Sequence, residues 1–326
     1  MPDSDSIAVE PLPFRILSID GGGYLGLATA VFIQQMERHF SIKFSEVFDL
    51  FCGTSTGAII SASLAIGKSG DEIVALYKEL GPKIFGTKKS CGILRSTYRV
   101  DDLRGCLEAH LGEVCLGDLS KNNKKILITA FNRTTGKPRI FKTDHSNRLS
   151  TDNELSLTDV VLASASAPTY FASTPIRNPT TGLTEVFCDG GVACNHPALL
   201  GFTEAAYELN NIPSAIRLLS LSTPRQSLGE GLGVLSRCDY GKWQWKNSIH
   251  DILIDSNSSL VHEVLRRLVD VFGENHPLYS RVNLQNLDEL KIDDVSQKAT
   301  DSLVAIGSNA ATVQEIRNNV GAVILG

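Results

Sequence analysis

Several things are missing from this 326-residue chain, and each absence removes a class of protein. It has no run of about 18 apolar residues, so no bilayer-spanning helix is expected. It has no basic excess either. Lys and Arg total 31 against 36 Asp and Glu, a net charge of -5, which argues against a general binder of nucleic acid polymers. The seven cysteines, at 52, 91, 106, 115, 188, 194 and 238, form no C-x-x-C. No zinc site is therefore expected, and the thiols read as reduced and mostly buried in a cytoplasmic chain. Internal repeats and low-complexity blocks are absent. The opening "MPDSDSIAVEPLP" is acidic and Pro-containing, without the basic-then-apolar layout of a secretory leader.

What is present is globular in composition, with 42% hydrophobic and 21% charged residues. Residues 1–13 read as a flexible tail. "FRILSI" (14–19) reads as a buried strand ending in Asp-Gly, followed by a helix from near Gly26 with Phe32, Ile33, Met36 and Phe40 on one face. "EVFDLFCG" (46–53) reads as a second strand, and "TGAIISASLAIG" as a helix stopped by Gly67. Ser69 and Glu72 have capping-box spacing before an amphipathic helix, and 81–98 reads as a loop. "KKILITAFN" and "PRIFKT" form a hairpin-like pair; "LSLTDVVLASASAP", "TEVFCDGG", "HPALLGFTEAAYEL" and "AIRLLSLSTP" alternate helix and strand. Such alternation with apolar strands predicts an α/β fold of three layers, α/β/α, around a mostly parallel central sheet. The expected division is a catalytic domain over 14–225 and a mainly helical part, 226–326, packed on it.

Two stretches carry chemistry. Gly53-Thr54-Ser55-Thr56-Gly57 is a G-x-S-x-G between a strand and a helix. Small flanking residues let strand and helix pass closely, and the turn lifts the Ser55 hydroxyl to a helix N-terminus, where a developing negative charge is favoured. A plain helix cap is the bland alternative. The glycines at 21, 23 and 26 satisfy G-x-G-x-x-G, which suits either a dinucleotide pyrophosphate or the oxyanion of an ester under attack. Asp49 and Glu46 stand near the distance at which a dinucleotide fold places its ribose-binding acid. The charge of Asp20 before the glycines, and the G-x-S-x-G that follows the next strand, favour an oxyanion hole at Gly21, Gly22 and Gly23.

A serine needs a base. Of the seven histidines, His39 and His262 fall on helical surfaces, and His196 reads as a helix-start residue before Pro197. Asp189, in "VFCDGGV", sits at a strand end before two glycines. An ordinary aspartate, with a pKa near about 3.9, is a weak base, and a partly dry pocket makes it a better one.

Together, "DGGGYLG" (20–26), "GTSTG" (53–57) and "DGG" (189–191) resemble, in order and spacing, the patatin-like phospholipase family. "ASASAPTYF" (163–171) and "LSLSTP" (219–224) add to the resemblance, which covers about 14–225. It implies a lipid acyl hydrolase without metal or cofactor, using a Ser55–Asp189 dyad on membrane phospholipids at a transient, peripheral contact. The family often has Arg in D-G-G-G-x-R-G, where this chain has Leu25 after Tyr24. The Tyr-Leu variant resembles a bacterial branch of antiviral effectors switched on by a cyclic nucleotide. For the nucleotide, the loop 87–99 (Lys88, Lys89, Arg95, Arg99) and the segment 236–248 are candidates, and each reads better as a solvated loop. For the membrane, the basic loop 88–99 suits anionic head groups, and Trp243 and Trp245 suit either the interface or packing of a helix against the core. Two rival readings are a nucleotide-binding module built on 21–26 and a non-catalytic lipid-binding protein. Head-group preference and oligomeric state have no signature here.

Overall fold

The computed structural model describes residues 12–92, 94–145, 150–225, 249–273, 276–286 and 290–326. Its strands are β1 (Phe14–Ile19), β2 (Leu50–Gly53), β3 (Lys125–Asn132), β4 (Lys137–Lys142), β5 (Thr174–Arg177), β6 (Thr184–Asp189), β7 (Ile216–Leu221) and β8 (Leu278–Val282). They form one sheet in the order β5-β6-β3-β2-β1-β7-β8, with β4 paired to β3. The run β3-β2-β1-β7-β8 is parallel. β4 and β6 lie antiparallel to β3, and β5 antiparallel to β6.

Both faces are buried because both sets of alternating side chains are apolar. Leu17, Ile19, Phe51, Ile126, Ile128 and Leu219 enter the larger core cluster. Ile16, Leu50, Cys52, Leu127 and Leu218 enter the smaller one on the other face. This is the two-sided pattern of a helix-covered parallel sheet.

The helices are α1 (Gly26–Phe40), α2 (Phe44–Val47), α3 (Thr56–Ala65), α4 (Gly70–Phe85), α5 (Val100–Leu111), α6 (Leu116–Lys121), α7 (Leu157–Ala165), α8 (Ala198–Thr203), α9 (Ile249–Val271), α10 (Gln297–Ala310) and α11 (Gln314–Leu325). α8 and α9 give Ala198, Phe202 and Leu265 to the smaller cluster. α1, α3, α4, α5 and α7 supply most of the larger one.

The capping box at Ser69 and Glu72 forms in both directions. Several expected boundaries move. Of 46–53, only Leu50–Gly53 is strand. Phe44–Val47 is a helical turn whose first amide, Phe44 N–H, donates to the buried Glu37 carboxylate at 2.8 Å. The 81–98 loop starts later, since α4 continues through Pro82 to Phe85. The helix read over "HPALLGFTEAAYEL" widens into a π turn at Glu204–Glu208. There the Glu204 carboxylate takes Lys142 Nζ at 2.5 Å and His145 Nε2 at 2.8 Å. β5 and β8 are strands that local pattern did not reveal. Of the six cysteines described, all free, only Cys52 and Cys188 are buried and Cys91 is exposed, so most are not the core hydrophobes expected.

One feature of the sheet sets up the site. β4 occupies one edge of β3, so β2 and β6 share the other. β2 pairs with Lys125–Ile128 in parallel and β6 with Ala130–Asn132 antiparallel. The two strands therefore run head to head, and their carboxyl ends, Gly53 opposite Ile128 and Asp189 opposite Ala130, meet two residues apart along β3.

Candidate active site

The meeting of β2 and β6 joins the G-x-S-x-G turn to the D-G-G turn. Ser55 Oγ donates to Asp189 Oδ2 at 2.6 Å, and both residues are buried. The other carboxylate oxygen, Asp189 Oδ1, accepts from the Gly191 amide at 2.6 Å. Thr54 ties the junction together, with its hydroxyl 2.7 Å from that of Thr129 on β3 and 2.8 Å from the Cys194 carbonyl.

The Ser55 turn is strained: its φ is 55° and ψ -120°. A non-glycine residue held there costs on the order of 1–3 kcal/mol. The surroundings hold it in place. The Ser55 amide donates to Ser164 Oγ of α7 at 2.8 Å. Gly57 packs so closely on the end of β1 that a Cβ would overlap the Ile19 carbonyl, and one on Gly53 would overlap the Gly57 carbonyl. Both outer glycines are thus required by the close passage of strand and helix.

The glycine loop leaves β1 beside this turn. Gly21 is clamped on both sides: its amide donates to the Asn195 carbonyl at 3.3 Å, and its carbonyl accepts from Thr223 Oγ1 at 2.7 Å. Tyr24 N–H donates to the Ile292 carbonyl at 2.8 Å. Of the three amides offered by the sequence, that of Gly21 is therefore engaged. Those of Gly22 and Gly23 have no acceptor among the described residues. A Cβ on Gly22 would overlap the Thr223 hydroxyl, so the loop fits only without side chains.

Asp20 does not present its charge to the loop's inner face. It is fully buried and held by Arg281, with Nη1–Oδ1 at 2.9 Å and Nη2–Oδ2 at 2.7 Å, and by Arg225 Nη2 at 3.1 Å. Burial alone would raise its pKa, but the Arg281 guanidinium, helped by Arg225, brings it below the ordinary value. Repulsion of a phosphate by Asp20 thus has no structural basis. A different observation weakens the dinucleotide reading. Asp49 precedes β2 and bonds Arg15 N–H at 2.8 Å, at the start of β1 and hence the opposite edge of the sheet from the glycines.

Ser55, Asp189 and the glycines line a cavity of about 770 Å³. That is within the usual size range for a small-molecule site. Its lining combines apolar side chains, Ile59, Leu80, Ile84, Phe85, Leu103 and Phe171, with polar ones, Thr223, Arg225, Asp251, Asp255, Asn286 and Lys291. Leu25, where an arginine was noted as common, lies in this wall and is 5% exposed. His196 is fully buried and bonds Ser220 and the Ser258 carbonyl, and among the described residues no histidine bonds Ser55. The segment 236–248, with Trp243 and Trp245, lies outside the described residues.

Ser164, Asn195, Arg225 and Arg281 escaped sequence inspection. Ser164 lies within "ASASAPTYF", where no local spacing marks it as the partner of Ser55. Arg281 stands 261 positions from its partner Asp20, and no local spacing signals such a pair.

Chemically the arrangement suits acyl transfer through a serine ester, in a cavity whose lining offers both apolar and polar side chains. The chain belongs to the patatin-like phospholipase family, whose model matches residues 17–201. It is 31% identical over 309 residues to a cGAMP-activated phospholipase of Pseudomonas aeruginosa, spanning 91% of this chain and 88% of the relative. A protein of the same description from Escherichia coli is 28% identical over 339 residues, spanning 97% of this chain and 93% of the relative. Patatin-16 of Solanum tuberosum is 27% identical over 326 residues, spanning 90% and 82%. Among solved structures, VipD from Legionella pneumophila superposes with a TM-score of 0.52 at 16% identity, over 94% of this chain and 67% of that one; it bears on the fold alone.

Proposed function

We propose that this patatin-like phospholipase cleaves acyl esters of membrane phospholipids with Ser55 as nucleophile and Asp189 as base. The observation that carries the reading is the 2.6 Å bond from Ser55 Oγ to Asp189 Oδ2, two residues that line the cavity. Ser55 Oγ attacks the acyl carbonyl carbon as its proton passes to Asp189. The carbonyl oxygen becomes an oxyanion and takes the amides of Gly22 and Gly23, while the clamped Gly21 holds the loop. The proton then moves from Asp189 to the departing alkoxide, releasing the lysolipid. A water gives its proton to Asp189, attacks the acyl-serine, and frees the fatty acid as the proton returns to Ser55. Each well-placed oxyanion donor supplies on the order of 3 kcal/mol.

In this reading the acyl chain packs on the apolar lining residues, such as Ile59, Leu103 and Phe171, and the head group on the polar ones, such as Arg225 and Lys291. Contact with the bilayer is peripheral: among the described residues no helix is long and apolar enough to cross a membrane. The loop 87–99 is the docking element. Lys88, Lys89, Arg95 and Arg99 are exposed and Leu94 is 95% exposed. Thr97 and Tyr98 N–H groups bond the Thr169 and Tyr170 carbonyls beside the cavity mouth, at 2.9 and 2.8 Å. Residues 226–326 belong to the catalytic body in this reading, a view supported by β8 extending the sheet and by α10 packing on α1.

A cyclic dinucleotide is the activator we infer, by likeness to the cGAMP-activated relatives. The test is product analysis on mixed bacterial phospholipids, with and without cyclic dinucleotides. Release of lysolipid and fatty acid by the native chain and not by Ser55→Ala supports the reading. Equal release by Ser55→Ala refutes it.

A further inference from the structure

Asp20 is a fully buried carboxylate placed directly before the glycine loop, and its principal partner comes from the far end of the chain. We propose that Arg281 is a positioning residue for ester hydrolysis: from β8 it grips Asp20 and so keeps the Gly22 and Gly23 amides aimed at the carbonyl attacked by Ser55. The inference rests on the Ser55–Asp189 reading above.

The grip is two-pronged. Arg281 Nη1 and Nη2 meet separate oxygens of Asp20 at 2.9 and 2.7 Å. Such a planar fork fixes the orientation of a carboxylate as well as its distance. Arg225 is the looser partner, at 3.1 Å, and divides itself between Asp20 and Asp255. Arg281 is itself immobilised. Its Nε donates to Asn283 Oδ1 at 2.9 Å and its Nη1 to Ser220 Oγ at 2.7 Å, and Ser220 stands level with it on β7.

The anchoring continues to α9. The Ser258 carbonyl can only accept, so His196 Nδ1, 3.1 Å away, carries the proton. A histidine kept neutral there leaves Nε2 to accept from Ser220 O–H, at 2.9 Å. Burial drives the His196 pKa down to about 4 against the opposing charge of Asp20, so the ring is neutral near pH 7. Asp20, Arg281, Ser220, His196 and α9 thus form one continuous buried chain of hydrogen bonds, with the glycine loop at its end.

The loop is short enough for that end to matter. Asp20 N–H bonds the Leu221 carbonyl at 3.0 Å, and the next two donors after Gly21 are the free amides. The carboxylate grip fixes the position of the Asp20 Cα, so a carboxylate that resettles without the Arg281 fork shifts the main chain leading into the loop, and displacement of a donor by about 1 Å costs up to about 100-fold in rate.

The test uses the full chain and a short-chain p-nitrophenyl ester, with active serines counted by end-point fluorophosphonate titration. Arg281→Lys keeps the charge and removes the fork. Its kcat per titrated serine is expected to fall about tenfold or more, with KM within about twofold of the native value and fluorophosphonate inactivation slowed in parallel. A residue that only supports the fold would lower the titratable fraction and leave kcat per titrated serine unchanged, and that result overturns the proposal. Should Arg281→Lys be insoluble, Asp20→Asn, equal in size, is measured the same way with the same expected and overturning results. Ser55→Ala separates the two levels. If it still turns over ester, the Ser55 reading fails; if it is silent while Arg281→Lys and Asp20→Asn keep native kcat, only the positioning role fails.

Discussion

Ser55 and Asp189 are 134 positions apart in the chain and 2.6 Å apart in space because β2 and β6 end head to head on one edge of β3. The carboxylate has a second bond, from Gly191 N–H, that fixes its face toward the serine. Asp189→Asn preserves size and removes the proton acceptor. Its kcat on a soluble ester is expected to fall about 1,000-fold or more, as for other members of a catalytic unit. Combining it with Ser55→Ala should add little further loss. Steady-state rates of the two single variants and the double variant check this, and independent, multiplying losses would show that the residues do not act as a pair.

Ser164 supports the strained turn from behind, accepting the Ser55 amide at 2.8 Å in a fully buried position. Ser164→Ala leaves that amide without a partner. The expected loss of stability is about 1–3 kcal/mol, the usual cost of an orphaned buried donor. Urea unfolding reads it, and a midpoint equal to the native one would show that the bond contributes nothing.

Much of this was legible in advance where the signal is local. The strand at 14–19, the Ser55 turn, the capping box at Ser69 and Glu72 and the alternation of apolar strands all depend on residues close in sequence. The short turn at Phe44–Val47 was not, because Glu37 caps it from the previous helix. β8 was not, because its place follows from pairing with β7 rather than from its own pattern. The three motifs named the corners of the site. What fastens them, Arg281 on Asp20 and Ser164 on Ser55, comes from distant segments and shows only when the sheet is assembled.

The exposed Leu94 and its basic neighbours give the docking proposal a separable prediction. Leu94→Asp combined with Lys89→Glu and Arg95→Glu should slow hydrolysis of anionic vesicles about tenfold or more, at roughly 1 kcal/mol per basic residue near such a surface. Turnover of a soluble short-chain ester should stay within about twofold, since the cavity is untouched. Added salt should narrow the gap between native and variant chains, because it screens the native attraction. Equal vesicle rates at low salt would remove the loop from the membrane contact.

Buried neutral His196 makes stability depend on pH in a definite direction. Its pKa falls from the ordinary 6.5 to about 4 in the folded chain, because burial outweighs the opposing Asp20 carboxylate, with a smaller push from the Arg281 charge. Between those values the unfolded chain binds the proton and the folded chain does not. The contribution of this residue to stability is therefore complete above about pH 6.5, is lost as pH falls toward 4, and levels off below that, with a slope of at most about 1.4 kcal/mol per pH unit. His196→Gln keeps a neutral polar group and removes the titration. The difference in unfolding free energy between native and His196→Gln chains, measured in urea from pH 7 to pH 4.5, should shift by about 2 kcal/mol in favour of the variant as pH falls. Parallel curves across that range would mean that His196 takes its proton as readily when folded as when unfolded, and below about pH 6.5 both ring nitrogens would then donate, Nδ1 to the Ser258 carbonyl and Nε2 to Ser220 Oγ.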